Sequence, residues 1–284
     1  MLSVLGFLLL LWVIFVCGLA LCLEAVYWYE TRNSPDGRIP APDLGFLSAL
    51  KVFGTSLLGV VLVQLTGLFR CRAQKKPGPI SAGKQDDVQP VVLIHGLFSN
   101  SGAWLALAPA LAEAGYAYST YNYKCNNTSV DDIIDGLEGH MAAVERYSGG
   151  KKPILIGHSM GGLVARRWLA HANNESRVAG LVTLATPHMG SKLAVVGKGR
   201  ITASLRPQGS LTVSLRGAKK LNIPCVGLVS PVDVMVLPAA SLVPPDDWKM
   251  RITPPCGHYP MIFSKKVIAM VLEEIKGMGK SGKE

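Results

Sequence analysis

The sequence predicts an α/β protein, a mainly parallel sheet with helices on both faces, preceded by an apolar helical hairpin in a membrane. Three observations predict it. From residue 90 onward, short β-branched runs alternate with amphipathic helical stretches, as parallel sheets require. The first 69 residues instead hold two long apolar runs that join no such alternation. Third, the stretch ILIGHSMGGLVARRW begins as a buried strand and ends as a helix, with only Gly157 to Gly162 between the two characters.

The apolar runs come first in the chain. Val4 to Leu23 are nearly all apolar, and no charged side chain occurs before Glu24. No Lys or Arg precedes the run and no small-x-small site closes it, so a span of about 20 residues fits better than a signal peptide. Leu19-Ala20-Leu21-Cys22 is a poor lipoprotein box, because leucine stands directly before the cysteine. Val52 to Phe69 is interrupted only by Thr, Ser, Gly and Gln. It reads as a second span, since it lies outside the alternating region with nothing to bury it; the alternative is a core helix. Arg70, Arg72, Lys75 and Lys76 follow at once. The positive-inside rule puts that cluster, and the domain after it, in the cytoplasm, most simply at a bacterial inner membrane. The expected domains are therefore a two-helix membrane anchor at 1–72, a polar linker at 73–89 and a catalytic domain at 90–284.

Within that domain the expected strands are 91–95, 116–123, 153–157, 179–186, 224–230 and 250–254. The expected helices are 103–114, 130–147, 160–172 and 261–276. Glycine and proline are dispersed, and no internal repeat occurs. The formal net charge is +10, and most of the basic residues lie after residue 69. They are scattered and form no nucleic-acid-binding motif, so attraction to anionic lipid headgroups accounts for them more simply. Cys125, Cys225 and Cys256 are an odd set at no metal-ligand spacing, so no disulfide framework or metal site is implied, although one pair remains open. Asn126-Asn127-Thr128 and Asn174-Glu175-Ser176 match glycosylation sequons, a pattern too short to carry weight.

The chemistry centres on Gly157-His158-Ser159-Met160-Gly161, a G-x-S-x-G nucleophile elbow. Such a turn lifts the serine hydroxyl above the sheet, at a helix N-terminus whose free N–H groups favour developing negative charge. Alone the pattern is equally an ordinary glycine-rich turn, so it needs partners. A nucleophilic serine requires a base, an acid to orient that base, and two oxyanion donors. The Met160 N–H, directly after the nucleophile, is one donor. Pro90-Val91-Val92-Leu93-Ile94-His95-Gly96-Leu97 supplies an earlier strand and turn, which makes the Leu97 N–H the second. His95 is read as a support for that loop. The chain order Ser, acid, His leaves His258, just before the last amphipathic stretch, as the base. Asp233, after the strand-like 225–230, is the acid in best position; Asp246 and Asp247 read as a solvated turn and Glu175 as surface.

At these residues the chain resembles the α/β-hydrolases, and within them bacterial lipases and shorter esterase relatives. The resemblance covers roughly 90–275. It rests on Leu93-Ile94-His95-Gly96-Leu97, Gly157 to Gly162, Thr186-Pro187-His188-Met189-Gly190-Ser191, Ser230-Pro231-Val232-Asp233 and Gly257-His258. It implies the α/β-hydrolase fold, a Ser159, Asp233, His258 triad, an oxyanion hole at Leu97 and Met160, and His188 as a packing or substrate-wall residue. It implies acyl-ester hydrolysis through an acyl-enzyme, on lipid or other hydrophobic esters, with no organic cofactor. The sequence departs from secreted lipases of this type in two ways. No carboxylate closely follows His258, so no calcium is expected, and the segment between 185 and 223 leaves room for only a small lid. Those relatives are exported, against the charge rule. An acyltransferase using the same acyl-enzyme, or a membrane interaction module without activity, are the rival classes; the intact triad speaks against the second. If the two spans only tether the domain, the domain without them should still hydrolyse soluble esters.

Overall fold

The computed structural model describes residues 2–34, 38–40, 45–66, 76, 89–125, 128–171 and 174–278. Arg70, Arg72 and Lys75, nearly all of the expected linker, and Asn126 and Asn127 lie outside the described residues. The centre is a six-stranded sheet in the order β2-β1-β3-β4-β5-β6. Its strands are β1 (Val91–Ile94), β2 (Tyr118–Tyr121), β3 (Ile154–His158), β4 (Gly180–Leu184), β5 (Cys225–Val229) and β6 (Lys249–Ile252), and every pairing is parallel. All six expected strands are present, most ends being shorter, while β3 runs on to His158 and β6 begins at Lys249.

Alternation sorts the side chains into two cores. Val91, Leu93, Ile154 and Ile156 face one core, while Val92, Ile94 and Leu155 face the other. The first is covered by α3 (Leu107–Glu113) and α8 (Lys265–Met278). The second is covered by α4 (Val130–Tyr147), α5 (Met160–Leu169) and the short α6 (Arg200–Ser204) and α7 (Ser210–Arg216). Strands buried on both faces explain why β1, β3, β4 and β5 are almost wholly apolar; β6, at the edge, carries Lys249 and Arg251.

Three expected helices are shorter than their patterns; that expected over 160–172 ends at Leu169. At 103–114 a 3-10 turn (Ser101–Trp104) precedes α3, because the Asn100 side chain accepts the Gly102 N–H and starts a tight turn. Near 261, Pro260–Phe263 form another 3-10 turn and α8 starts only at Lys265.

The N-terminal helices depart most from expectation. α1 (Leu2–Asn33) and α2 (Phe46–Thr66) pack against each other, as a hairpin would. Among the described residues only α1, over Val4–Asn33, is long and apolar enough to cross a membrane; the apolar part of α2 is the shorter Phe46–Leu62. The loop between them should lie across the bilayer from the domain if both helices spanned. Instead Ile39 is buried in the first core, and Arg38 Nη1 pairs with Asp246 Oδ1 at 3.2 Å. Nor is α2 without a partner. Val52, Ser56 and Gly59 are buried along one stripe, and Leu62 packs against the first core. Of the two expected spans, one candidate span is found among the described residues, and α2 lays one stripe against the domain.

Candidate active site

Strand β3 delivers Ser159 at φ 54° and ψ −124°, a conformation that non-glycine residues rarely hold. The neighbouring chain enforces it. Ser159 N–H donates to Leu184 O, the Thr186 hydroxyl donates to Ser159 O, and Gly162 N–H donates to the same carbonyl. Gly161 is obligatory, since a Cβ there would stand 2.1 Å from the Ile94 carbonyl oxygen. The loop after β1 passes as closely on the other side: a Cβ on Gly96 would meet the Ser159 Cβ at 3.0 Å. Leu97 follows directly on Gly96, and Met160 directly on Ser159. Next to Leu97, Phe98 has φ 52°.

His95 holds that loop. Its Nδ1–H donates to Gly96 O at 2.9 Å, its Nε2 accepts the Tyr123 N–H, and its ring stacks on Tyr123 at 4.2 Å. The loop-support role read from the sequence matches these contacts.

Asp233 and His258 meet as expected. His258 Nδ1 lies 2.7 Å from Asp233 Oδ2, with the carboxylate buried and the ring 9% exposed. The other carboxylate oxygen accepts the N–H groups of Met235 and Val236, at 2.8 and 3.0 Å. That fixes the acid against rotation and leaves the second imidazole nitrogen free to accept a proton. The Ser159 hydroxyl makes no hydrogen bond among the described residues; in hydrolytic sites such contacts commonly tighten only with substrate bound. Asp246, exposed and paired with Arg38, and Glu175, bonded to Asn222, stand apart from the histidine.

Two further residues align the site. His158 is buried, and burial, with the neighbouring His258 and His95, depresses its pKa to about 3. The ring is therefore neutral, and its Nε2–H donates to the His258 carbonyl at 3.1 Å. The nucleophile strand thus grips the backbone of the base. Ser230 ties the two loops together: its hydroxyl donates to Cys256 O at 2.5 Å and accepts the N–H groups of Cys256 and Val232. Sequence reasoning gave neither residue a role. The signal for His158 was its place one residue before the nucleophile, and for Ser230 its place at the end of β5. His188 is buried and neutral, bonded to Arg166 and Thr183, a packing residue. Cys225 and Cys256 carry free thiols at opposite ends of the last two strands. Among the described residues no cluster of His, Cys, Asp and Glu has the makings of a metal site.

The N-terminal helices touch the turns that carry Asp233 and His258. The Tyr27 hydroxyl donates to Pro231 O at 2.8 Å, two residues before the acid. Glu30, buried, pairs with Lys192 at 2.8 Å. From α2, Gly59 lies so close to the turn after His258 that a Cβ there would stand 3.3 Å from the Pro260 Cδ, and Thr55 O lies against Gly257.

A family model described as the alpha/beta hydrolase fold matches residues 89–199. Among solved structures, Bacillus licheniformis lipase BlEst2 in its mature form is 19% identical with a TM-score of 0.59, over 72% of this chain and 96% of that one. Aspergillus fumigatus lipase B is 15% identical with a TM-score of 0.61, over 70% of this chain and 55% of the other. Est1E of Butyrivibrio proteoclasticus, solved with ferulic acid, is 16% identical with a TM-score of 0.52, over 72% and 91%. The parallel sheet, the strained serine turn and these matches together show the α/β-hydrolase fold, which the chain shares with these lipases and esterases.

Proposed function

We propose that this chain is a membrane-anchored serine esterase of lipase type, acting on lipid or other hydrophobic acyl esters. The observation that supports it most is the buried 2.7 Å contact of His258 with Asp233, on a turn held by the residue next to the strained Ser159. In this reading His258 takes the Ser159 proton through its free nitrogen as the hydroxyl oxygen attacks the ester carbonyl. The Leu97 and Met160 N–H groups hold the oxyanion, each donor being worth about 3 kcal/mol of barrier. The tetrahedral intermediate collapses as the protonated His258 gives its proton to the departing alcohol. Water, deprotonated by the same imidazole, then attacks the acyl-serine and releases the carboxylic acid. Asp233 orients the ring and stabilises its charged form. The residues themselves supply every proton and electron pair, so neither metal nor organic cofactor enters.

The apolar half of α1 is the anchor, and names such as lipase among the structural neighbours favour a hydrophobic ester. The charge rule keeps the domain on the cytoplasmic side of a bacterial inner membrane. One span suffices for that argument, because the cluster from Arg70 to Lys76 precedes the domain on its own side of the bilayer.

The test is covalent labelling. Wild-type protein should react with a fluorophosphonate and hydrolyse p-nitrophenyl butyrate. Ser159→Ala should lose labelling and at least about a thousandfold in kcat while still folding. Full labelling of Ser159→Ala, or near-normal turnover by His258→Ala, overturns the reading.

A further inference from the structure

A second polar site lies away from the triad. Arg166 sits in the last turn of α5 and is 9% exposed. One guanidinium nitrogen donates to His188 Nδ1 at 3.1 Å, a neutral ring, and another reaches Leu215 O at 3.5 Å. The guanidinium also lies over the Trp248 ring, 5.4 Å from its centroid. No carboxylate among the described residues comes within ion-pair distance of it. A buried charge without a counter-charge is costly. The carbonyl end of α5 supplies part of one, on the order of half a charge, which explains why an arginine is tolerated there. Asp247, exposed at the pocket, adds a coulombic contribution, yet desolvation by burial remains the larger effect on Arg166.

Beside this arginine is a pocket of about 50 Å³, lined by Arg166, Lys219, Lys220, Trp248 and Asp247 among others. That space exceeds what one water needs. Three cations and one exposed carboxylate surround it. Its place in the fold separates it from catalysis. Lys219 and Lys220 lead into β5 and Trp248 into β6, so the pocket opens at the N-terminal ends of these strands; Ser159, Asp233 and His258 stand beyond the C-terminal ends. Burial holds the Arg166 pKa down to about 10, still far above neutral pH, so the guanidinium stays charged.

We propose that this pocket binds a phosphate-class oxyanion, with Arg166 as the buried counter-charge and Lys219 and Lys220 as the outer donors. A guanidinium offers a planar fork of donors suited to phosphate oxygens, and lysines add point charge without demanding geometry. Trp248 caps the apolar side and excludes water. The site is independent of the esterase reading. It faces away from the loops that α1 and α2 contact, so a dissolved phosphate ester fits it better than a headgroup of the anchoring membrane.

The experiment is thermal unfolding of the full-length protein in neutral detergent, titrated with inorganic phosphate against sodium chloride of equal ionic strength. A ligand that binds only the folded form raises Tm in a saturable way. Wild-type protein should show that rise with phosphate and not with chloride. Lys219→Ala with Lys220→Ala, both at exposed positions, should weaken the apparent affinity at least tenfold. Arg166→Met, which keeps the volume, should abolish the effect; if it fails to fold, the lysine pair still decides. A parallel arm uses phosphatidylglycerol and phosphatidylcholine vesicles. A rise with phosphatidylglycerol alone, lost in the lysine variant, assigns the phosphate to a lipid headgroup. No saturable rise in any arm, or one that the variants leave unchanged, overturns the site.

Discussion

α1 and α2 are similar in composition and differ in what surrounds them. Every residue from Val4 to Phe15 in α1 is exposed, on all sides of the helix, and only 11% of its most apolar window is buried. The buried residues of α1 are Val16, Ala20, Tyr27 and Glu30, all in its second half. α2 instead buries one stripe against the domain, and its Val52 joins Tyr27 in a small core with Val232, Val234 and Leu237 around the acid turn. Hydropathy reports only that a helix must leave water. Where it goes is decided by complementarity, here by a glycine on α2 that lets Pro260 approach and by a tyrosine hydroxyl placed at a carbonyl. The stretch from Val4 to Phe15 is exposed on all sides and suits lipid. The remainder of the pair is part of the frame that holds Asp233 and His258.

That contrast reverses an expectation. If the helices merely tethered the domain, residues 76–284 would turn over soluble esters normally. With the acid and histidine turns braced from outside, their removal strips partners from Val232, Val234, Leu237 and Pro260 and leaves Lys192 without Glu30. The expected result is a loss of at least tenfold in kcat/KM on p-nitrophenyl butyrate, together with a lower Tm. Equal rates for truncated and full-length protein would reduce the helices to a tether.

A smaller perturbation enters from α2 alone. Gly59→Leu forces a branched side chain into the space of Pro260 and should cost about 1–3 kcal/mol of stability by overpacking. It should lower kcat several-fold with little change in KM, because the displaced turn carries the base and not the substrate contacts. Gly59→Ala needs only a few tenths of an ångström of give at 3.3 Å and should stay near wild type. A Leu variant with unchanged kcat breaks the link between α2 and His258. Tyr27→Phe is milder still. It removes one hydrogen bond to Pro231 O and should cost about 1 kcal/mol, read as a shift of the urea midpoint at constant m.

The catalytic half of the chain was legible because its rules are local. Alternation marks strands, glycines mark the elbow, and the order Ser159, Asp233, His258 leaves little choice of partner. The braces were not legible. His158 gripping the His258 carbonyl joins residues one hundred positions apart, and Ser230 joining Cys256 follows from where two loops happen to meet. Tyr27 reaching Pro231 crosses most of the chain. A serine or tyrosine at such a place has the same local pattern as one facing solvent. The packed face of the second apolar run was hidden for the same reason: its stripe of Val52, Ser56 and Gly59 is interpretable only beside Pro260.

The last prediction concerns the exposed, apolar half of α1. Leu9 and Leu10 are 60% and 55% exposed, and neither packs against the domain. Replacing both by lysine puts two charges near the centre of the apolar segment, each opposing insertion by about 3 kcal/mol on a translocon scale. The braces begin further along, at Val16 and beyond, and are left intact. The Leu9→Lys, Leu10→Lys protein should therefore shift from the membrane to the soluble fraction on sedimentation, yet turn over p-nitrophenyl butyrate at the wild-type rate. On ester carried in vesicles its rate should fall, because the local concentration that anchoring supplies is gone. A loss of soluble-ester activity equal to that of the truncated protein would mean that the two halves of α1 act as one unit, and that the separation of anchor from brace is wrong.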